Sequence, residues 1–195
     1  MSMKLNDKYW NNRYEKLETA WDVGKVSIPL KEYFEQISDK QQIILIPGSG
    51  NGYEGEYLFN NNFSNTHILE YSSKALRNFI KRVPSFPKNQ IHNIDFFSFE
   101  GKFNLIIEQT FFCALDTELR NDYVKKVSSL LVKGGKLVGL LFDIPHNTNN
   151  PPFGGDVNEY LQLFSETFQV EVLERCYNSI SSRRGKELFV ILVKK

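Results

Sequence analysis

The chain has 195 residues, the length of one ordinary domain, and is apolar enough to bury a core without disulfides or metal. Its 24 basic and 23 acidic residues nearly cancel, leaving a nucleic-acid backbone or an anionic membrane no charged face to grip. The two cysteines, Cys113 and Cys176, lack C-x-x-C spacing, no apolar run approaches the roughly 18 residues of a membrane span, and the first ten residues lack a signal-peptide core. A cytoplasmic protein with reduced thiols, no zinc site and a small-molecule partner is expected.

Residues 6–38 are rich in Tyr, Trp, Asn and Glu and are expected to form one or two helices lying across the strand ends. Residues 42–47 form an apolar run of strand length that empties into alternating glycines, Gly48, Gly50 and Gly52. Glycines at alternate positions let a backbone turn sharply and approach a ligand closely, because each takes positive φ without a Cβ clash. Residues 53–59 read as the helix that such a turn feeds. About twenty residues after the first glycine, a second apolar run over 66–69 ends in Glu70, placed to accept hydrogen bonds from both hydroxyls of an adenosine ribose. The glycines alone do not choose the cofactor. The segment from Gly50 to Gly55 also satisfies the dinucleotide pattern G-x-G-x-x-G, but it starts beyond the strand end, whereas the pattern from Gly48 starts at it.

Residues 73–82 have helical character, with an N-cap at Ser72 or Ser73, and Pro84 and Pro87 break the pattern. A third strand is expected over 90–94 and a fourth over 103–108, whose Leu105, Ile106 and Ile107 suit burial on both faces. Residues 117–131 are the clearest helix, with Leu119, Tyr123, Val124, Val127, Leu130 and Leu131 on 3.6-residue spacing and Gly134 and Gly135 as the stop. A fifth strand over 136–142 precedes a Pro-, Gly- and Asn-rich loop over 143–155, of a length often associated with function. A helix over 156–165 follows, then strands over 168–177 and 186–193 that read as an antiparallel hairpin closing the sheet edge. Strands alternating with helices in this way predict an α/β fold with a mostly parallel, seven-stranded sheet.

These pieces together resemble one family, the S-adenosylmethionine-dependent thiol and halide methyltransferases related to thiopurine S-methyltransferase. The likeness runs through Tyr9-Trp10-x-x-Arg13-Tyr14, Trp21-Asp22-x-Gly24, the turn from Ile46 to Gly52, Glu70, Asp95-Phe96-Phe97, the string from Gln109 to Leu115, Gly134-Gly135, and Pro151 to Gly154. The T-F-F-C-A-L and W-D-x-G strings are far more specific than a glycine loop. The resemblance implies a class I, Rossmann-like methyltransferase fold, with residues 1–38 as a cap over the cofactor site and 39–195 as the core of a single domain. It also implies that Trp10, Tyr14 and Trp21 wall S-adenosylmethionine, that Gly48 lies under its methionine part with Gly50 another cofactor-binding residue of the turn, and that Glu70 takes the ribose. Asp95 would accept from the adenine amine and the Phe96 region would form an apolar slot. Gln109 stands where the family often has tyrosine, Ser49 where it often has cysteine and Glu70 where aspartate is commoner. Arg120 is a partner for the cofactor carboxylate by analogy with the thiopurine branch.

Each role has a structural competitor. Trp10 and Trp21 can pack a helix onto the core, Phe96, Phe97, Phe111 and Phe112 can be core rings, and Cys113 a buried thiol. Asp95 can be a turn residue, Arg120 a solvated helix residue, and Arg183-Arg184 a solvated turn. His67, His92 and His146 are isolated in sequence and expected to bind no metal. No catalytic acid or base is assigned: no His-Asp pair or motif-placed lysine is present, which favours acceptors that are already anionic or easily ionised, namely thiols, sulfide and halides. A methyltransferase of larger metabolites, a cofactor-binding protein without turnover, and a nicotinamide oxidoreductase are the alternatives.

Overall fold

The run Ile44–Pro47 (β1) is buried on both faces, as a parallel strand of aliphatic residues covered on both sides is. It lies parallel to Thr66–Leu69 (β2), with Ile44 opposite Thr66 and Pro47 opposite Leu69, and β2 lies parallel to Ile91–His92 (β3). The computed structural model describes residues 5–147 and 149–195, and the chain divides into two compact units, Met1–Phe99 and Glu100–Lys195. In the first unit Asp7–Glu15 (α1) and Ile28–Glu35 (α2) precede these strands, and Tyr53–Asn60 (α3) and Ser73–Arg82 (α4) connect β1 to β2 and β2 to β3.

Local chemistry sets these boundaries. Asn6 caps α1 by accepting from the Tyr9 N–H at 3.0 Å, and Pro29 sits in the first turn of α2, where its missing N–H costs nothing. Ser72 is the N-cap of α4, accepting from the Ala75 N–H at 3.2 Å, and Lys81 and Arg82 complement the dipole at the other end. Ala75, Leu76 and Phe79 form the buried stripe of α4, and α3 packs on β2. The third strand is shorter than the expected 90–94. A 3-10 turn over Lys88–Gln90 takes its beginning, and past His92 the Asn93 side chain replaces the ladder, donating to the carbonyls of Glu70 at 2.8 Å and Tyr71 at 3.1 Å.

In the second unit, Phe103–Gln109 (β4) is parallel to Leu131–Phe142 (β5), β5 is antiparallel to Glu187–Lys194 (β7), and β7 is antiparallel to Phe168–Arg175 (β6). The helices are Arg120–Leu130 (α5), packed on β5, and Val157–Phe164 (α6), packed on β6. A 3-10 turn over Thr117–Leu119 leads into α5, so the α-helix starts later than the periodicity suggested. Gly134 and Gly135 do not stop it. The helix ends at Leu130, Leu131 is already extended, and the glycines lie within β5, where the register jumps from Phe103 opposite Leu131 to Leu105 opposite Lys136. Gly134, at φ 73°, absorbs this irregularity.

Among the described residues the strand order is β3-β2-β1-β4-β5-β7-β6, a seven-stranded sheet whose β1-β2, β2-β3 and β4-β5 pairs are parallel and whose β5-β7 and β7-β6 pairs are antiparallel. This is the class I, Rossmann-like arrangement. The C-terminal hairpin forms as expected, with β7 next to β5 and β6 outermost.

Candidate active site

Of the candidate cofactor residues of the first unit, Tyr14, Gly48, Gly50 and Glu70 meet at the turn after β1, with Trp21 packed on Tyr14 and Trp10 on Trp21. Gly48 and Gly50 both have φ 56° and Gly52 φ 72°, left-handed conformations that side chains rarely adopt. Gly50 has a second reason to be glycine: a Cβ there would stand 2.7 Å from the Tyr14 hydroxyl oxygen. The turn is pinned to the end of β2, with the Ser49 N–H donating to the Leu69 carbonyl at 3.1 Å and the Gly50 N–H to Glu70 Oε2 at 2.7 Å. Glu70 Oε1 accepts from the Ser72 N–H at 2.8 Å. Burial pushes the Glu70 carboxyl above the usual range, and the backbone donors of Ser72, Gly50 and Tyr71 pull against that rise. The carboxylate thus keeps acceptor capacity beyond these backbone bonds.

Trp10, Tyr14 and Trp21 form an edge-to-face aromatic group: the Trp21 ring is 5.6 Å from that of Trp10 and 5.8 Å from that of Tyr14, and its indole N–H donates to the Tyr14 hydroxyl at 3.3 Å. Tyr14 is buried, which raises its hydroxyl pKa, and nearby Glu70 adds to the rise. Asp95 caps the 3-10 turn Phe96–Ser98, its Oδ1 accepting from the N–H groups of Phe97 at 2.9 Å and Ser98 at 3.2 Å. The Phe96 ring is 3% exposed and meets Phe97 edge-on at 5.2 Å. Turn residue and core ring are therefore real parts of what Asp95 and Phe96 do.

Sequence reading singled out Asp22 as part of a motif but gave it no task. Its Oδ1 accepts from the Gly24 N–H at 2.7 Å, while Oδ2 accepts from the Asn51 amide and faces the Tyr53 hydroxyl at 3.5 Å. Asn51, between two glycines of the turn, also accepts from the Asn78 amide at 3.1 Å. Asn11 was likewise missed: its side-chain oxygen accepts from the Ser72 hydroxyl and the Lys74 N–H, both at 2.9 Å. A buried 3.0 Å bond from the Ser27 N–H to Glu54 Oε1 completes the docking of residues 5–27 within this unit. The Asn between two glycines was the available signal; Asn11 offered none.

His67 and His92 are not isolated. Nδ1 of the first lies 3.0 Å from Nε2 of the second, with ring planes 3° apart and centroids 5.3 Å apart, as far as that contact permits, so the rings are coplanar and in line. One ring donates and the other accepts. Burial lowers both pKa values, with the mutual repulsion of the two rings adding to the effect at His67.

In the second unit, Gln109 ends β4, and its side-chain oxygen is buried without a hydrogen-bond partner. Next to it, Glu108 is fully buried: Oε1 accepts from the N–H groups of Phe111 at 2.8 Å and Phe112 at 2.9 Å, and Oε2 from the Tyr123 hydroxyl at 2.7 Å. It braces the turn in which Thr110 takes a left-handed φ of 58°. Burial raises the Glu108 carboxyl to about 7, opposed by those donors. Cys113 is buried and its thiol pushed up by that burial, and its carbonyl accepts from the Phe153 N–H at 2.7 Å, tying the 143–155 loop to the T-F-F-C string. Residue 148 of that loop lies outside the described residues.

Arg120 differs from the expectation of a cofactor partner. Its guanidinium is taken up by Glu159 and, at 2.6 Å, by the Gly154 carbonyl, over the face of Phe112. Arg183 is not a solvated turn residue either: it is 9% exposed, 3.4 Å from the buried Glu187, while Arg184 alone is exposed. Among the described residues no cluster of His, Cys, Asp or Glu has the makings of a metal site.

The profile of the family described as Thiopurine S-methyltransferase matches residues 5–192. The chain belongs to this family. Within reach of the family lie a probable thiol methyltransferase 2 of Arabidopsis thaliana, 30% identical over 158 residues that cover 77% of this chain and 69% of the relative, and thiocyanate methyltransferase 1 of the same plant, 26% identical over 91% of this chain and 81% of the relative. Among solved structures, the 1,6-didemethyltoxoflavin-N1-methyltransferase of Burkholderia thailandensis, with bound S-adenosylhomocysteine, superposes with a TM-score of 0.78 over 97% of this chain and 87% of that one, at 11% identity. The magnesium protoporphyrin IX methyltransferase of Synechocystis PCC 6803, with bound S-adenosylmethionine, gives 0.74 over 97% and 95%, at 12% identity. These last two likenesses establish the class I fold of this member of the thiopurine S-methyltransferase family.

Proposed function

We propose that the protein transfers the methyl group of S-adenosylmethionine to a small, soft sulfur nucleophile. The observation that carries this is the left-handed glycine turn held against a buried carboxylate, Gly50 to Glu70 at 2.7 Å, in a chain whose relatives are thiol, thiocyanate and thiopurine methyltransferases. Gly48 and Gly50 bring bare backbone to the cofactor, and the spare acceptor capacity of Glu70 takes the ribose hydroxyls. Asp95, with Oδ1 committed to its turn, offers Oδ2 to the adenine amine. In the second unit, taken by itself, Gln109 carries a buried oxygen that lacks a donor, which a ligand would supply.

When bound, the cofactor supplies a sulfonium-activated methyl group. The aromatic group of Trp10, Tyr14 and Trp21 attracts that cation by up to about 2 kcal/mol when desolvated, and holds the neutral product less well. The protein's remaining task is to place the nucleophile in line and exclude water. No basic residue is required for this. A thiol with pKa near 8.5 is already a few per cent ionised at pH 7, so capture of its thiolate costs about 2 kcal/mol. Sulfide, thiocyanate and halide ions need no deprotonation, so the reading extends to them. It also includes a cytoplasmic setting, supported by the two buried cysteines being free thiols.

Calorimetric titration with S-adenosylmethionine, S-adenosylhomocysteine and NADH, followed by a methylation assay on thiols, bisulfide, thiocyanate and iodide, tests this. Binding of the first two without NADH, and turnover on sulfur acceptors, is expected. Tight cofactor binding with no turnover on any acceptor would replace the reading with a binding protein.

A further inference from the structure

We infer that the hydrogen bond between His67 and His92 sets the spacing between the ribose and adenine ends of the cofactor site, so that cofactor affinity depends on the protonation of this pair; the inference rests on the cofactor reading above. Each ring stands three residues before a carboxylate assigned to the cofactor, His67 before Glu70 and His92 before Asp95. The backbone between those carboxylates is lightly tied. β3 has two residues, and beyond its pairing with β2 the Glu70 N–H donates to the His92 carbonyl at 3.0 Å. Side chains strengthen the junction: Gln90 donates to the Ser64 carbonyl at 2.7 Å, Asn93 to the carbonyls of Glu70 and Tyr71, and His67 Nδ1 meets His92 Nε2 at 3.0 Å.

An N–H···N bond holds one proton between its two nitrogens. With both rings neutral that proton is in place; with one ring charged it is still in place, and the bond gains charge assistance. With both rings charged, two N–H groups face each other at 3.0 Å, no acceptor is left between them, and the charges repel. The contact therefore tolerates one added proton and not two. Both rings are half-buried, so protons reach them, while burial, and at His67 the neighbouring ring as well, keeps the second proton off until the solution is acidic. β1 places the uncharged Leu45 opposite His67, the apolar Phe99 ring lies 4.7 Å from that of His92, and α3 covers the opposite face of β2, where a Cβ on Gly55 would stand 2.7 Å from Ile68 Cγ2. The titratable groups of the adjoining segments are Lys88 in the turn before β3, Glu70 and Tyr71 after β2, and Asp95 after β3. Of these, Glu70, whose carboxyl burial has raised, also takes up a proton on acidification, and its effect has to be separated from that of the pair.

Calorimetric titration of S-adenosylhomocysteine into the wild-type chain, His67→Gln and His92→Gln, from pH 7.5 to 5, makes that separation. Glutamine still hydrogen-bonds but takes no charge, so a doubly charged pair cannot form. Wild-type affinity is expected to fall about tenfold over that range, one pKa unit of coupling, and that of the variants to fall much less, whatever affinity each starts from. Linkage requires the converse: saturation with S-adenosylhomocysteine should lower the second protonation step of the pair in the wild-type protein, followed by ring nitrogen chemical shifts, which a chain with three histidines leaves readable. A pair that merely props one strand on the next would not change its titration with the ligand. An equal acid loss in wild type and both variants overturns the inference and assigns the loss to Glu70. A ring titration identical in free and saturated protein overturns it too, a result that needs no variant to fold. Wild-type protein that binds no S-adenosylhomocysteine at pH 7.5 overturns the cofactor reading itself, an outcome distinguishable because it precedes any mutation or acidification.

Discussion

The two oxygens of Glu70 already accept from the N–H groups of Gly50 and Ser72, among other backbone donors, so the carboxylate holds the site together before it meets a ligand. Glu70→Ala is expected to weaken S-adenosylhomocysteine binding by about 1.5–3 kcal/mol, the scale of bonds to a charged group. Calorimetry checks this, and unaltered affinity would refute the ribose role. Glu108 makes a prediction about pH instead. Its carboxyl is raised from an ordinary 4.5 to about 7, so between those values the folded protein binds a proton that the unfolded chain has released. Its contribution to stability is therefore full below pH 4.5, falls as pH rises, and levels off above about 7, a span of about 3 kcal/mol. Glu108→Gln does not titrate. The difference in unfolding free energy between wild type and this variant, followed by denaturant titration from pH 4.5 to 8, should decline through that window; a flat difference would show that burial does not hold the proton.

At the scale of elements, the turn between β1 and α3 and the irregularity in β5 both depend on left-handed glycines, but for different reasons. A Cβ on Gly52, at φ 72°, would lie 2.5 Å from the Phe79 ring, which is itself fully buried and packed edge-on against Phe86 at 4.9 Å. Gly134 has nearly the same φ, 73°, with nothing within 4 Å of the added atom. Gly134→Ala should therefore lose only the conformational cost, about 1 kcal/mol. Gly52→Ala adds the displacement of a core ring, for a total of about 2–4 kcal/mol. Chemical denaturation of the two variants compares them directly, and equal losses would mean that α4 yields freely to the turn. The His67–His92 pair, joining β2 to β3, works the other way from Glu108. Both pKa values are lowered, so its contribution is present above the ordinary histidine range and fades on acidification.

For the molecule as a whole, the parts legible in the sequence were those written in local patterns. The aliphatic runs at 44–47 and 105–107 and the glycines after the first run declared strands and a binding turn, and the alternation declared the α/β class. What depended on distant partners was not legible. Nothing in residues 186–193 says that β7 lies next to β5 with Lys136 opposite Val193, because that choice is made by pairing between segments far apart in the chain. The same holds at the candidate site: Glu70 was read from its spacing, whereas Asn11 and Asp22 act through residues that only folding brings near. Gly134 and Gly135 misled because a glycine pair can end a helix or bend a strand, and Leu131 had already settled the matter. The anchoring of residues 5–27 has an implication for biosynthesis. Asn11 waits for Ser72 and Lys74, 61 and 63 residues further on, Asp22 for Asn51, and Ser27 for Glu54. Since translation runs from the N-terminal side, the aromatic group of Trp10, Tyr14 and Trp21 is made before Asn51, Glu54, Ser72 and Lys74, and its segment docks through them only once they have emerged. This segment is thus a door hung only after the frame has been raised.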